Sequence, residues 1–174
     1  MTKKILTIFG SADATPLDDL YQTSLLIGRT AAELGWTICN GGYGGTMEAS
    51  ARGAVEIGGH TLGVTCTRFG RGGPNPFIRQ EIPTFDLLQR LNTLVRLGHA
   101  YVVLPGGTGT LAELALTWEM LNKGLLQGDR PLILYGTQWA PVLDCVRSMQ
   151  PGARELQMAS TLPELGDILK SLDI

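Results

Sequence analysis

Short apolar runs alternate along this chain with stretches in which apolar positions recur every three or four residues. The runs are Ile5-Leu6-Thr7-Ile8-Phe9, Trp36-Thr37-Ile38-Cys39, Thr61-Leu62-Gly63-Val64-Thr65, Ala100-Tyr101-Val102-Val103-Leu104 and Pro131-Leu132-Ile133-Leu134-Tyr135. Continuous apolarity of this kind predicts strands buried on both faces. A shorter strand is expected near 157–159. The periodic stretches predict helices over 16–34, 46–57, 84–97, 110–123, 141–149 and 163–172. Pro16, Asp18 and Asp19 suit the first turn of the first helix, and Gly35 its end. Residues 67–82, which include Arg68-Phe69-Gly70-Arg71-Gly72-Gly73-Pro74-Asn75-Pro76, break the alternation and read as a long loop. Strands alternating with helices predict an α/β fold: a doubly wound, mostly parallel sheet with helices on both faces, Rossmann-like, as one domain over 1–174.

Such folds bind ligands outside the carboxyl ends of the strands, where the strand order reverses. If strands 5–9 and 100–104 are neighbours there, Gly10-Ser11 and Pro105-Gly106-Gly107-Thr108-Gly109-Thr110 share one cleft, with Gly41-Gly42-Tyr43-Gly44-Gly45 beside it. Composition sharpens this. Glycine is abundant, at 23 residues, and clusters at 41–45, 58–59, 70–73 and 106–109. The other figures are ordinary: 44% hydrophobic, 17% charged and a net charge of −2, with no basic stretch for nucleic acid. Three scattered cysteines, Cys39, Cys66 and Cys145, fit neither a disulfide framework nor a zinc site. Residues 1–4 lead straight into a strand, without a secretory signal, and no apolar segment has the length of a membrane span. The expected location is the cytoplasm.

The glycine-rich segment 105–110 follows a strand and opens a helix. Its backbone N–H groups and the helix N-terminus favour an anion, and Thr108 and Thr110 add hydroxyl donors. No Lys follows, so it is not a Walker loop, and 9–13 lack the dinucleotide fingerprint. No cofactor and no metal are expected. Glu113 has two readings. In Thr110-x-x-Glu113 it closes a capping box; alternatively it faces a sugar or the bond being broken, since it would repel a phosphate. Arg90 lies at the edge of the stripe Leu87, Leu91, Leu94, Val95 and Gly98, where a snorkelling surface Arg is the ordinary outcome. Arg68, Arg71 and Arg79 read first as solvated loop residues, with closure over phosphates as the alternative. His60 and His99 read as structural.

The segment Pro105-Gly106-Gly107-Thr108-Gly109-Thr110-x-x-Glu113 resembles the PGGxGTxxE signature of the Lonely Guy family, long labelled "possible lysine decarboxylase". The turn at 41–49 resembles that family's second glycine-rich turn, and Thr117-Trp118 its Thr-Trp pair. Arg90 stands fifteen residues before Pro105, the family's spacing for its arginine. The resemblance implies a dimeric Rossmann-fold phosphoribohydrolase that releases a base from a nucleoside 5′-monophosphate. Arg90 and Glu113 would then be the catalytic pair. Gly10, Ser11, Gly42, Gly44, Gly45, Thr46, Gly106, Gly107, Thr108, Gly109 and Thr110 would hold the nucleotide. Leu91 stands where the family commonly has Lys, and the second turn is nearer a looser branch that includes molybdenum-cofactor carriers. The alternative function is therefore a non-catalytic carrier or sensor of a phosphorylated ligand. A pyridoxal-dependent decarboxylase is disfavoured, because no lysine stands in a Schiff-base setting.

Overall fold

Seven strands, all parallel, form a single sheet in the computed structural model, which describes residues 4–172. The ends of the expected domain, residues 1–3 and 173–174, lie outside the described residues. In chain order the strands are β1 (Ile5–Phe9), β2 (Thr37–Asn40), β3 (Thr61–Cys66), β4 (Gln80–Thr84), β5 (Ala100–Val103), β6 (Leu132–Tyr135) and β7 (Gln157–Ala159). They lie side by side in the order β4-β3-β2-β1-β5-β6-β7. The order runs one way from β1 to β4 and then restarts on the other side of β1. The switch point is thus the β1/β5 pair, in register from Leu6 opposite Ala100 to Phe9 opposite Val103. This is the expected doubly wound fold, with the sheet wholly rather than mostly parallel.

Alternation along each strand divides the core in two. Leu6 and Ile8 of β1 point to one face with Val102 of β5, where α1 (Asp19–Glu33) and α6 (Leu162–Ser171) deliver Ile27, Ala31, Leu165 and Leu169. Phe9, Tyr101 and Val103 point to the other face. There α3 (Leu87–Leu97), α4 (Thr108–Asn122) and α5 (Ala140–Met149) deliver Leu94, Val95, Leu114, Trp118 and Leu143. The remaining helix, α2 (Thr46–Val55), adds Ala54 to the first face. Cys39 and Cys66 are buried in this core, whereas Cys145 is exposed.

Three local expectations are corrected. Residues 80–84 are not loop: they are β4, paired with β3 from Leu62 opposite Gln80 to Cys66 opposite Thr84. It is an edge strand, with Gln80, Glu81 and Pro83 exposed. An edge tolerates a proline because one side of the strand needs no N–H donor. The next helix accordingly starts at Leu87, not 84, where the Asp86 carboxylate accepts from the Gln89 N–H at 2.9 Å. The first helix starts at Asp19, not 16; Asp18 turns its carboxylate back onto the Thr15 N–H and hydroxyl instead of capping. Among the described residues no helix is long and apolar enough to cross a membrane.

Candidate functional site

A cavity of about 380 Å³ opens at the switch point. That is within the range of small-molecule sites, roughly 300–1,000 Å³. Four strand ends wall it. The loop after β1 supplies Gly10, Ser11, Ala12 and Asp13; the turn after β2 supplies Tyr43, with Met47 behind it; the segment after β3 supplies Phe69 and Arg71; and the loop after β5 supplies Gly107, Thr108, Gly109 and Thr110. Arg90 from α3 and Glu113 from α4 complete the lining together with Leu87.

The loops are stitched to one another. Ser11 donates its N–H to the Pro105 carbonyl at 3.2 Å, and its own carbonyl accepts from both the N–H and the hydroxyl of Thr46, at 2.9 and 3.0 Å. This contact requires close approach. Gly45 has φ +66°, and a Cβ there would collide with the Ser11 and Ala12 backbone. Of the residues expected to bind ligand, Gly10, Ser11, Gly107, Thr108, Gly109 and Thr110 line the cavity. The others do not. Thr46 and Gly45 hold the β1 loop, Gly44 is half-buried beside it, Gly106 is exposed with the Thr110 hydroxyl where a Cβ would lie, and Gly42 anchors its N–H on the Asn40 side-chain oxygen at 2.9 Å.

The floor of the cavity is an ion pair. Arg90 is 7% exposed and Glu113 8%, although both side chains are ionisable. The Arg90 Nε donates to the Val64 carbonyl at 2.8 Å, and Nη2 donates to the Gly41 carbonyl at 3.1 Å. Nη1 is left to face Glu113 Oε1 at 3.7 Å. A Cβ on Gly41 would occupy the space of the guanidinium, so any larger residue there displaces Arg90. The snorkelling reading of Arg90 is thereby replaced: carbonyls from two strand ends take the place of water. The capping-box reading of Glu113 is also replaced. The helix begins at Thr108 after the N-cap Gly107, so Thr110 is its third residue, and no side chain caps it. Burial pushes the Glu113 carboxyl up to about 7, against the opposing pull of the Arg90 guanidinium. The carboxyl is thus poised to exchange a proton near neutrality.

An aromatic wall, which the sequence reading missed, stands over the pair. The Tyr43 hydroxyl is pinned to Cys66, accepting from its N–H at 2.8 Å and donating to its carbonyl at 3.2 Å. The Tyr43 ring lies 5.6 Å from the Arg90 guanidinium and 6.1 Å from the Phe69 ring. Arg71 rests over Tyr43 at 4.7 Å, inside the cavity lining. Arg68 and Arg79 are not in the lining: Arg68 stacks on Phe85, and the exposed Arg79 donates its backbone N–H to the Thr61 hydroxyl. The available signal was Phe69 set between two arginines in Arg68-Phe69-Gly70-Arg71. His99 is structural, its Nδ1 accepting from the Ile5 N–H at 3.1 Å.

Fold and site together define a doubly wound α/β protein with an anion-receptive helix N-terminus and a buried arginine–glutamate pair at its switch point. The chain belongs to the SLOG cluster4 family, whose model matches residues 3–134. It is 32% identical over 119 residues to an uncharacterised protein of Archaeoglobus fulgidus, covering 68% of this chain and 77% of that one. It is 34% identical over 110 residues to a pyrimidine/purine nucleotide 5′-monophosphate nucleosidase of Escherichia coli, covering 57% of this chain but only 24% of that enzyme. A cytokinin riboside 5′-monophosphate phosphoribohydrolase of Mycobacterium tuberculosis is 29% identical over 126 residues, covering 67% of this chain and 62% of the enzyme. Among solved structures, the molybdenum cofactor binding protein of Rippkaea orientalis superposes with a TM-score of 0.79 at 23% identity, over 98% of each chain. The molybdenum cofactor carrier protein of Chlamydomonas reinhardtii gives 0.75 at 25% identity, over 97% of this chain and 96% of the carrier.

Proposed function

We propose that this protein is a phosphoribohydrolase that cleaves the N-glycosidic bond of a nucleoside 5′-monophosphate, taking up water and yielding free base and ribose 5-phosphate. The observation that carries the reading is the buried Arg90–Glu113 pair, set 3.7 Å apart on the floor of the cavity. The phosphate would sit at the start of α4, against the amides of residues 108–110 and the hydroxyls of Thr108 and Thr110. Bond cleavage builds positive charge on the ribose. An ionised Glu113 stabilises that charge and takes the proton of the attacking water, while Arg90 holds the carboxylate in place. Nucleosidase and phosphoribohydrolase relatives support the same chemistry. The protein would act on cytoplasmic nucleotide as a homodimer, for which exposed Phe85, Leu88 and Leu125 offer apolar surface. A monomer mass by light scattering would remove the dimer.

The test is base release from a panel of nucleoside 5′-monophosphates, wild type beside Glu113→Ala. Turnover that drops at least about 10²-fold in the variant is the expected result. Absence of base release across the panel, at high enzyme concentration, defeats the proposal. A specific observation favours a second reading, a carrier of a phosphorylated ligand: the molybdenum cofactor carrier protein of Chlamydomonas reinhardtii superposes over 97% of this chain at 25% identity. Under that reading a pterin chromophore copurifies, and Glu113→Ala leaves ligand affinity intact.

A further inference from the structure

The order of strand ends across the cavity gives a ligand a direction. Residues 107–110 follow β5, Gly10 to Asp13 follow β1, Tyr43 follows β2, and Phe69 and Arg71 follow β3. In the sheet these four strands run β3-β2-β1-β5. The strands that lead to Arg71 and to the start of α4 are three spacings apart in the sheet, roughly 14 Å. Arg90 and Glu113 lie on the floor between them. A nucleotide with its phosphate on the start of α4 and its sugar over Glu113 must direct its base toward Tyr43, Phe69 and Arg71.

The chemistry of that end is specific. The Tyr43 ring is buried, fixed by two hydrogen bonds to Cys66, and carries the Arg71 guanidinium over its face. Asn75 secures the segment beyond Arg71, its side chain donating to the Gly42 and Tyr43 carbonyls at 3.2 and 2.8 Å. Arg71 lies 4.7 Å over Tyr43 and 6.0 Å from the Phe69 ring. Among the described residues it enters no ion pair. Its guanidinium is thus a planar fork of donors, oriented by rings and not engaged by a carboxylate. A guanidinium cannot accept a hydrogen bond. It matches a base edge that presents two adjacent acceptors, as O6 and N7 of a 6-oxopurine do, and mismatches adenine, whose amino group at C6 is a donor.

Resting on the nucleotide reading above, we propose that Arg71 is the specificity-determining residue of this site and selects 6-oxopurine nucleotides, the monophosphates of guanosine and inosine, over adenosine monophosphate. The test is calorimetric binding of GMP, IMP and AMP to Glu113→Gln protein, with Arg71 intact, Arg71→Ala or Arg71→Lys. With Arg71 present, GMP and IMP should bind about tenfold more tightly than AMP. Arg71→Ala should bring the three within about twofold by weakening GMP and IMP alone. Arg71→Lys should recover little, because an ammonium lacks the fork. AMP binding as tightly as GMP and IMP overturns the proposal. So does a preference that survives Arg71→Ala, a loss in that variant that is equal for all three nucleotides, which would assign Arg71 to the phosphate, or no binding at all. Base release is scored separately on wild type. Selective binding without turnover leaves the Arg71 assignment standing and removes the hydrolase; turnover without selectivity does the reverse.

Discussion

Replacing Glu113 by Gln should stabilise this protein, and the gain should depend on pH in a way that follows from burial. Glu113 folds into a setting that pushes its carboxyl from an ordinary 4.5 up to about 7. Between those values the folded state holds a proton that the unfolded chain has lost. Stability supplied by the neutral carboxyl is therefore fully present below about pH 4.5 and is lost as pH rises through about 7. At about 1.4 kcal/mol per pH unit, the difference amounts to about 3 kcal/mol above pH 7. Gln keeps the shape and stays neutral, so it escapes that cost. Guanidinium unfolding of wild type and Glu113→Gln should give nearly equal stabilities at pH 4 and a gap that widens to about 3 kcal/mol in favour of Gln by pH 8. Comparing the two proteins cancels every other titrating group. A gap independent of pH would refute the reasoning, as would a Gln variant less stable than wild type at pH 8. In the second case the contact with Arg90 would outweigh desolvation.

The same titration governs the proposed reaction. The carboxylate is the form that takes a proton from water, so kcat/KM should rise with pH through about 7 and then level off; a pH–rate profile without that limb in wild type would count against Glu113 as the base. Arg90→Ala removes the bonds to Val64 and Gly41, leaves those carbonyls unpaired, and takes away the charge that opposes protonation of Glu113. It should cost about 3–5 kcal/mol by denaturant unfolding, and Arg90→Lys should recover only part of this. Gly41→Ala should abolish base release with a smaller loss of stability, because its Cβ displaces the Arg90 guanidinium; unaltered turnover would show that the guanidinium can relocate.

What the sequence revealed and what it concealed have physical causes. Strands covered on both faces must be apolar throughout, so β1, β2, β3, β5 and β6 announce themselves without structural help. β4 does not, because an exposed edge imposes no such demand, and Pro83 and Glu81 then read as loop. The glycine-rich loop after β5 was legible because local backbone geometry sets its composition. The burial of Arg90 was not legible from periodicity. Its two carbonyl acceptors lie 26 and 49 residues away in sequence, and only the assembled sheet brings them together. Glu113 illustrates a subtler case. Its spacing from Thr110 is right for a capping box, but the helix starts two residues before Thr110, and the carboxyl turns inward. The aromatic wall went unnoticed because Tyr43 sat in a glycine turn and Phe69 in an apparent loop.

Each wall of the cavity rises from a different strand end, and this separates two kinds of evolutionary freedom. In the proposed reaction the phosphate lies at the end that belongs to β5, and the Arg90–Glu113 pair belongs to α3 and α4. The end that would meet the rest of the ligand belongs to β2 and β3, where residues 67–74 span from β3 to the Asn75 anchor. Under the proposed function, changes at residues 70–74 would alter what that end recognises while leaving the Arg90–Glu113 pair in place. Conversely, if the proposed function holds, loss of the Glu113 carboxylate on α4 would leave a receptor for the same ligand. A lineage built on this plan can pass between catalysis and carriage by few changes, as the mixture of nucleosidases, phosphoribohydrolases and cofactor carriers among its relatives and structural neighbours suggests.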